Sequence, residues 1–466
     1  MNTENLPRRR PIAKDIAGKN IALVARRGPS VAQLAKFLAV LGWLSLEVTT
    51  GRAETPLDWV TKEVPQLTQL YEALHRAPEL SFQEEKTSAR MADELRTAGL
   101  TVTEHVGGHG VVGVLKNGTG KTLLLRADMD ALPVVEETQL PYASIARTRD
   151  DRGATVGVMH ACGHDMHMTN LLGAVRYLAS HRREWQGTLV AIFQPAEERG
   201  AGAKAMLADG LLSRFPRPDF AVALHVAADQ AAGTVGYRAG YAQANVDSVD
   251  ITVHGRGGHG AYPQATVDPV VIAAKLVVDL QSIVSREIDP IEPAVVTVGS
   301  IHGGTKHNII GDACDLQLTV RSYSPKVRKQ LIAAIRRKAL AAAASAAAPE
   351  PEIAVSEGTP SLFNDPALTG RTVAALEKVL GEANVTEVSP SMGGEDFGRI
   401  GRAGVPIVML KLGAVNRERL DGYTERGEQP PSLHSPKFYP DPEQTITTGV
   451  ATLAATALEL LRPTSE

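Results

Sequence analysis

Residues 159 to 167, Met-His-Ala-Cys-Gly-His-Asp-Met-His, place one thiol, three imidazoles and one carboxylate within nine positions. Neutral imidazole and thiolate are the ligands that zinc-like divalent metals prefer. Cys162 and His164 flank a single glycine, so both side chains can face one point if the backbone is extended or turning there. Taken alone, the segment also fits a buried free cysteine beside surface histidines. The pattern favours a metal site.

Further acidic and imidazole side chains follow apolar runs that are typical of buried strands. Glu197 and Glu198 come after the run from Thr188 to Phe193, and His225 lies at the end of another run. Two adjacent carboxylates are costly to bury unless a cation compensates them, and in a loop one can hold metal while the other handles protons. His434 lies in a proline-bounded loop. Each histidine alone is an ordinary polar residue, but their shared placement at strand ends and loops indicates a site.

Eight short motifs occur in one order along nearly the whole chain after residue 58. They are Arg126–Pro133, His160–Asp165, Gln194–Glu198, Ala223–His225, Gly257–Pro263, His307–Gly311, Gly393–Phe397 and Leu433–His434. This set resembles the di-metal amidohydrolases of the aminoacylase and carboxypeptidase G superfamily. The most similar branch contains hippurate hydrolases, bacterial N-acyl-amino-acid amidohydrolases and auxin-conjugate (indole-3-acetyl-amino acid) hydrolases. One such motif is weak evidence, whereas eight in order are specific.

The resemblance implies two divalent metal ions per chain, of which Mn, Zn, Co and Ni are the candidates. The implied ligands are Cys162, His164, Glu198, His225 and His434. Cys162 would bridge the two metals as a thiolate, where related branches use an aspartate. Those branches also have a ligand histidine at the position of Asp128, so His164 would take over that role.

Other polar residues of these motifs are expected beside the ligands. Asp130 would orient a ligand imidazole. Asp128 could do the same, or be a buried carboxylate satisfied by backbone amides. His160 and His167 are expected next to the ligands rather than among them.

The resemblance also assigns catalytic and substrate-binding residues. Glu197 would be the general base, and His259 resembles a lid histidine that stabilises the oxyanion, often from the partner subunit. The alternative for His259 is a turn histidine on a glycine-rich loop. Asn308 and Arg321 resemble lid residues that hold the substrate's α-carboxylate, although Arg321 also fits a surface cation at a strand edge. The segment Gly393–Phe397 would line the pocket or shape a loop.

Strand-like and helix-like segments alternate after residue 58, which predicts an α/β sandwich. The predicted strands are Val111–Leu115, Leu123–Leu125, Leu189–Phe193, Phe220–Val226 and Pro406–Leu410; the predicted helices are Glu84–Leu95, Met166–Leu178, Ala203–Leu212 and Glu443–Leu461. A second unit has the order strand, helix, strand, strand, helix, strand of a ferredoxin-like fold. Its predicted elements are Ser248–His254, Pro269–Arg286, Val295–Ser300, Leu316–Ser322, Lys326–Ala348 and Ile353–Val355.

The predicted architecture is therefore an α/β/α sandwich, like that of metal-dependent exopeptidases, with an inserted ferredoxin-like lid and dimerisation domain. The predicted segments are a signal-like segment (1–53), the first part of the catalytic domain (54–245), the lid (246–355) and the second part of the catalytic domain (356–466).

Composition limits the class of protein. The net charge of −3 gives no electrostatic argument for binding nucleic acid, and two cysteines exclude a disulfide framework. The first 36 residues are basic, and the apolar run Phe37 to Leu46 precedes the small residues Gly51 and Ala53. This order favours export and processing near Ala53 over a surface helix of a cytoplasmic protein, and the run is too short for a stable membrane span. N-terminal sequencing of the native protein tests this.

The function expected from these residues and motifs is metal-dependent hydrolysis of an N-acyl-amino acid, or of a small peptide-like amide with a free carboxylate, by a homodimer. One alternative is a dipeptidase or carboxypeptidase of the same superfamily. The other is a non-catalytic ligand-binding protein on a decayed enzyme fold, against which the intact Glu197 and the complete ligand set argue.

Overall fold

The structure, a computed structural model, describes residues 54–463. Its helices are α1 (Pro56–His75), α2 (Glu85–Thr97), α3 (His164–Ser180), α4 (Gly202–Ala208), α5 (Pro269–Arg286), α6 (Pro325–Ser345), α7 (Pro366–Leu380), α8 (Gly398–Arg402), α9 (Arg417–Glu425) and α10 (Pro442–Leu460). Its strands are β1 (Thr101–Val106), β2 (Gly110–Asn117), β3 (Thr122–Asp128), β4 (Arg147–Arg149), β5 (Thr155–Gly157), β6 (Gly187–Gln194), β7 (Phe220–Ala231), β8 (Val235–Tyr237), β9 (Gly240–Gln243), β10 (Asn245–His254), β11 (Gly258–His259), β12 (Ala294–Gly303), β13 (Ile309–Ile310), β14 (Ala313–Ser322), β15 (Glu352–Glu357), β16 (Leu362–Asn364), β17 (Val385–Glu387) and β18 (Ile407–Val415).

The larger sheet has eight strands in the order β1-β2-β6-β3-β7-β18-β8-β17. Its centre, β6-β3-β7-β18, is parallel, whereas β1 and β2 join antiparallel at one side. The central strands are almost continuously apolar and buried because both faces of the sheet are covered. Parallel strands direct their carboxyl ends to one edge of the sheet, so the loops after them meet there.

Helices cover the two faces of this sheet. Helices α1, α2, α3 and α10 pack on one face through side chains that include Leu67, Met91, Leu172 and Leu453. The other face is covered by α4 and α8, through a second core that contains Met206 and Ile400. The predicted α/β/α sandwich is thus confirmed.

The second unit is a four-stranded antiparallel sheet in the order β12-β14-β10-β15. Buried and accessible residues alternate along β14, because α5 and α6 cover only one face of the sheet. The element order and the strand order are those of a ferredoxin-like fold, as predicted. The domain boundaries proposed near residues 53, 245 and 355 stay predictions.

Several element bounds differ from the prediction. The helix predicted to reach Leu212 ends at Ala208, because Gly210 adopts a left-handed conformation (φ 89°). Strand β18 continues past Leu410 to Val415. The export signal predicted for residues 1–53 lies outside the described residues. Among the residues that the structure describes, no helix is long and apolar enough to cross a membrane.

Candidate metal centre

Most of the predicted ligands lie at the carboxyl edge of the parallel strands. Glu198 lies in the 3-10 turn Glu197–Arg199 that follows β6, beside Asp128, which is not a predicted ligand and ends β3. His225 lies within β7, and Cys162 directly precedes the Gly163 cap of α3. Strand pairing and the start of a buried helix therefore fix these side chains by regular backbone structure.

The turn between Cys162 and His164 depends on Gly163, which caps α3 in the left-handed conformation (φ 77°). A Cβ atom at this position would lie 2.6 Å from Cγ2 of Val226. Glycine avoids both the backbone strain and this clash. The turn lets the thiol and the first imidazole of α3 face the same point, as the sequence predicted.

Two triads of potential ligand atoms share the Cys162 thiol. One contains Cys162, His164 and His225, and the other contains Cys162, Glu198 and His434; the ligand atoms of each triad lie within 4.8 Å of one another. The Sγ atom of Cys162 is 3.6 Å from Nε2 of His225. Oε1 of Glu198 is 3.8 Å from Nε2 of His164 and 3.5 Å from Nε2 of His434. The structure therefore brings all five predicted ligands together around one thiol.

The chemistry of these atoms fits divalent metal ions. Nε2 of His164 and Oε1 of Glu198 are buried and have no hydrogen-bond partner within residues 54–463, which is costly unless something binds them. Burial and the nearby Glu198 raise the pKa of the Cys162 thiol, so a thiolate here requires a cation. Thiolate, imidazole and carboxylate are ligands of Zn-like and Mn-like ions. The five residues would hold such ions, with Cys162 central to both triads.

Asp130 contacts residues of both triads, Glu198 of one and His164 of the other. Its carboxylate accepts hydrogen bonds from the backbone N–H groups of Glu197 (3.1 Å) and Glu198 (3.0 Å) and from the Ser81 hydroxyl (2.6 Å). Oδ1 of Asp130 also lies 3.3 Å from Nδ1 of His164, which leaves Nε2 of that imidazole facing Glu198. This geometry matches the orienting role predicted for Asp130.

Asp128 is buried, but side chains rather than backbone amides bind it. Nδ1 of His167 lies 2.6 Å from one of its oxygens, and Nη1 of Arg126 donates to the other at 2.7 Å. The expectation of a carboxylate satisfied by backbone amides is therefore wrong. Nε2 of His167 accepts the backbone N–H of Val226 at 2.9 Å, so both ring nitrogens of His167 have partners. Ligand atoms of Asp128, His164 and His167 also lie within 4.8 Å of one another.

Glu197 lies against further buried acids, Glu395 and Asp396. Burial raises the pKa of Glu197 well above its ordinary value, and Glu395 and Asp396 add to this rise. Arg126 offsets part of the negative charge, since its Nη2 donates to Glu395 (2.9 Å) and Asp396 (3.3 Å). A carboxylate with a raised pKa is suited to accept and return a proton near neutral pH.

A cavity of about 560 Å³ opens on this cluster. Its walls include Cys162, Glu197, Glu198, His225 and His434, together with Arg321 and Lys411. Nη1 of Arg321 donates to the backbone carbonyl of Met392 at 2.7 Å, which fixes this cation on the lid wall. Gly393 and Gly394 line the cavity, as predicted for their segment, whereas Glu395 and Asp396 are buried behind it.

His259 and Asn308 lie elsewhere. Both are exposed on a small ribbon of the lid in which β11 pairs with β13. The backbone N–H of Gly260 donates to the carbonyl of Asn308 at 2.9 Å, and Nδ1 of His259 accepts the N–H of Ala261 at 3.0 Å. Neither residue lines the cavity of its own chain. The structure brings this pair together but does not bring it to the metal cluster.

Lys411 lines the cavity beside the predicted ligands, although the sequence pattern pointed to no role for it. It is the charged residue within the otherwise apolar strand β18 and pairs in register with His225 of β7. Burial lowers the pKa of Lys411. A single lysine inside an apolar run was the signal that could have identified it.

Comparisons with known proteins agree with this geometry. The profile of the Peptidase family M20/M25/M40 matches residues 124–459. Thermostable carboxypeptidase 1 of Saccharolobus solfataricus is 36% identical over 346 residues, 73% of this chain and 82% of the relative. N-acetyl-L-cysteine deacetylase of Bacillus subtilis is 37% identical over 354 residues, 75% of this chain and 80% of the relative.

One solved structure also resembles this chain in its fold. The Bacillus subtilis YXEP protein, described as a dinuclear metal binding peptidase from the M20 family, superposes with a TM-score of 0.70 at 28% identity. The match covers 85% of this chain and 98% of that protein. The clustered ligands, the profile and this likeness agree: the chain belongs to the Peptidase family M20/M25/M40 and is a metal-dependent amidohydrolase.

Proposed function

We propose that the protein hydrolyses the amide bond of N-acyl-amino acids to a carboxylic acid and a free amino acid. The observation that carries this proposal is Glu197, whose carboxylate lines the cavity next to the ligand cluster, with Oε2 4.0 Å from Nε2 of His164. The names of the two relatives support the substrate class, since one is a deacetylase of an N-acyl-amino acid and the other a carboxypeptidase.

Glu197 would act as general base and then as general acid. Two bound divalent ions would supply Lewis-acid activation of water and of the amide carbonyl. Glu197 would accept the proton of the attacking water and deliver it to the nitrogen of the leaving amino acid. Its raised pKa favours the second transfer, because burial and the neighbouring acids stabilise the protonated carboxyl.

The substrate's free carboxylate would face the lid. Arg321 is placed for this role, because it lines the cavity and is held by the carbonyl of Met392. A planar guanidinium can bind a carboxylate through two parallel hydrogen bonds. The proposed amino-acid side of the cavity is therefore the wall formed by the lid.

We infer a homodimer in which the lid of one subunit completes the site of the other. The exposed position of His259 and Asn308 supports this, since both are predicted to contact substrate but lie outside the cavity of their own chain. Exposed apolar side chains on and beside α5, Val271, Val278 and Ile291, offer a surface for such pairing.

The experiment is a hydrolysis assay after reconstitution with Mn, Zn, Co or Ni. N-acyl-amino acids are compared with dipeptides, which discriminates the proposed function from a dipeptidase. Glu197→Gln should lose about a hundredfold or more of kcat while the metal content stays near two ions per chain, because the amide cannot accept the water's proton. Glu198→Gln is the matched variant and should lower metal content instead.

Full activity of a metal-free sample would contradict the proposal. The reverse pattern in the two glutamate variants would show that their division of labour is wrong. Retention of bound N-acyl-amino acid without turnover under all four metals would favour the non-catalytic alternative.

A further inference from the structure

Lys411 occupies an unusual position for a lysine. It lies in the central parallel part of the large sheet, where β18 pairs with β7, and its neighbour in register is the predicted ligand His225. The residues before and after it in β18, Leu410 and Leu412, are buried. The strand therefore fixes the backbone of Lys411, and its side chain is directed to the metal edge of the sheet, where it lines the cavity.

The Lys411 side chain lines two neighbouring cavities. The first is the 560 Å³ cavity of the metal cluster, and the second has a volume of about 700 Å³. Lys411, Ser391 and Leu433 line both, so the second cavity continues directly from the metal centre. The remaining lining residues of the second cavity come from segments 226–230, 388–389 and 429–432, all outside the lid.

In the proposed reaction, the two cavities would receive different parts of the substrate. Arg321 places the amino-acid carboxylate on the lid wall, and the amide carbonyl must reach the metal cluster beside Glu197. The acyl group then extends away from the lid. The 700 Å³ cavity adjoins the cluster cavity through Lys411, Ser391 and Leu433 and has no lid residue in its lining, so it can receive the acyl group.

The charge of Lys411 has no direct partner. Within residues 54–463, its ammonium group has no hydrogen bond and no carboxylate oxygen within 4.0 Å. Glu395, Cys162, Asp229 and Glu197 act on it only at longer range. A partly buried ammonium offers three donors, and leaving them unpaired is costly. The hydroxyls of Ser391 and Ser432 can also donate to an anion, whereas the carboxylate of Asp229, on the wall of the same cavity, opposes one.

We propose that the second cavity is an acyl subsite in which Lys411 binds a terminal carboxylate, so that the enzyme prefers N-acyl-amino acids whose acyl group is a dicarboxylic acid such as succinate. This inference rests on the proposed function, because it takes the amide-cleavage site as its origin. Lys411 is the residue that selects the acyl charge. The metal cluster and Glu197 act on the amide irrespective of that charge.

A matched pair of substrates tests the subsite. N-succinyl and N-(4-methylpentanoyl) derivatives of the same amino acid have acyl groups of similar shape, but only the first carries a terminal carboxylate. Wild-type enzyme should favour the succinyl substrate by about tenfold or more in kcat/KM, as expected for a charge that pairs with a partly buried partner. Lys411→Met should remove this preference, so that kcat/KM for the succinyl substrate falls to about that for the neutral substrate.

Two further variants make the result specific. Lys411→Arg keeps the charge and should keep part of the preference. Lys204→Met is the matched control, because Lys204 is an exposed lysine on α4 that lines neither cavity. It removes the same charge from the protein and should leave both substrates unaffected.

The outcomes separate this inference from the proposed function. Turnover of both substrates without a preference for succinyl, or an equal loss of both in Lys411→Met, would overturn the acyl subsite and leave the proposed function standing. If neither substrate is turned over, the proposed function fails. Calorimetric titration with the N-succinyl-amino acid then decides, since binding that is equal in wild type and Lys411→Met would overturn the anion site and binding weakened about tenfold would support it.

Discussion

The metal cluster and the tip of the lid are built in opposite ways. Cys162, His164 and His225 are buried, and their positions follow from a sheet edge and a helix start in one chain. His259 and Asn308 are exposed on a two-stranded ribbon. The cluster is preorganised by its own fold, whereas the lid pair has no substrate-facing surface within its own subunit. In the proposed homodimer, a complete active site would depend on where the lid of the partner subunit is placed.

The largest effect that tests this difference is expected at His259. His259→Ala should lower kcat by about a hundredfold to a thousandfold, as for the loss of one oxyanion donor. Mixing these chains with Glu197→Gln chains should restore activity, because a heterodimer contains one site with native Glu197 and the partner's native His259. Hydrolysis is measured after subunit exchange has been demonstrated.

His254→Ala is the control for this experiment. His254 is also a lid histidine, but it pairs with the exposed Glu352 and lies outside the cavity. The His254→Ala substitution should therefore change kcat only slightly. Demonstrated exchange without recovery would indicate that His259 acts in the site of its own chain. A fully active monomer would show that activity does not require the dimer.

The buried region around α1 and α3 should also give the protein a pH-dependent stability, through His75. His75 lies between Asp165 (2.6 Å) and Glu136 (3.1 Å). Burial alone would lower the pKa of His75, but the two carboxylates raise it from 6.5 to about 9. The folded state thus holds this proton more tightly than the unfolded state. The stabilisation is full below pH 6.5 and is lost as the pH rises through 9.

His75→Gln should therefore cost more stability at about pH 6 than at about pH 9.5. The pH-dependent part is roughly 3 kcal/mol, from the size of the pKa rise. The free energy of unfolding is measured in urea with a chelator present, so that metal occupancy does not vary with pH. His254→Gln is the control and should cost little stability, because its ion pair with Glu352 lies at the surface. A cost that is constant across this pH range would refute the role of the His75 proton.

The smallest expected effect is a change in metal affinity when Asp130, which contacts the ligand residues, is substituted. Asp130→Asn should weaken metal binding by about tenfold to a hundredfold, since one amide oxygen cannot replace both carboxylate oxygens toward Glu197, Glu198 and His164. Metal affinity is measured by competition with a chelator. Asp312→Asn is matched to it, because Asp312 also accepts a backbone N–H, that of Gly257, but on the exposed lid. Equal effects of the two substitutions would mean that Asp130 does not act on the metal site.

The fold was predictable where burial imposes a simple pattern. The run that ends at Phe193 is apolar throughout because β6 is covered on both faces, and the alternation in β14 follows from a sheet covered on one. Helix α4 was predicted too long because Gly210 ends it. Strand β18 was predicted too short, since Lys411 interrupts its apolar run.

The site was predictable only where side-chain type and motif order suffice. All five predicted ligands lie together, but the motifs gave no information about the partners of Asp128, which are His167 and Arg126. Arg126 is two positions before Asp128 and lies on the same side of β3, but the contact with His167 depends on how α3 packs on the sheet, which no local spacing encodes. For Lys411 the same applies, because its place beside His225 depends on the pairing of β18 with β7.

The ligand candidates are divided by the lid along the chain. Cys162, His164, Glu198 and His225 precede it, whereas His434 follows it and is anchored by its backbone N–H to the carbonyl of Ala161 at 2.9 Å. A growing chain on the ribosome cannot contain the full ligand set until the whole lid has been synthesised. Complete metal loading is therefore a late event in the life of the molecule. An incomplete chain is limited to a partial ligand set, and a fully loaded centre indicates that both catalytic segments have been made and have folded together.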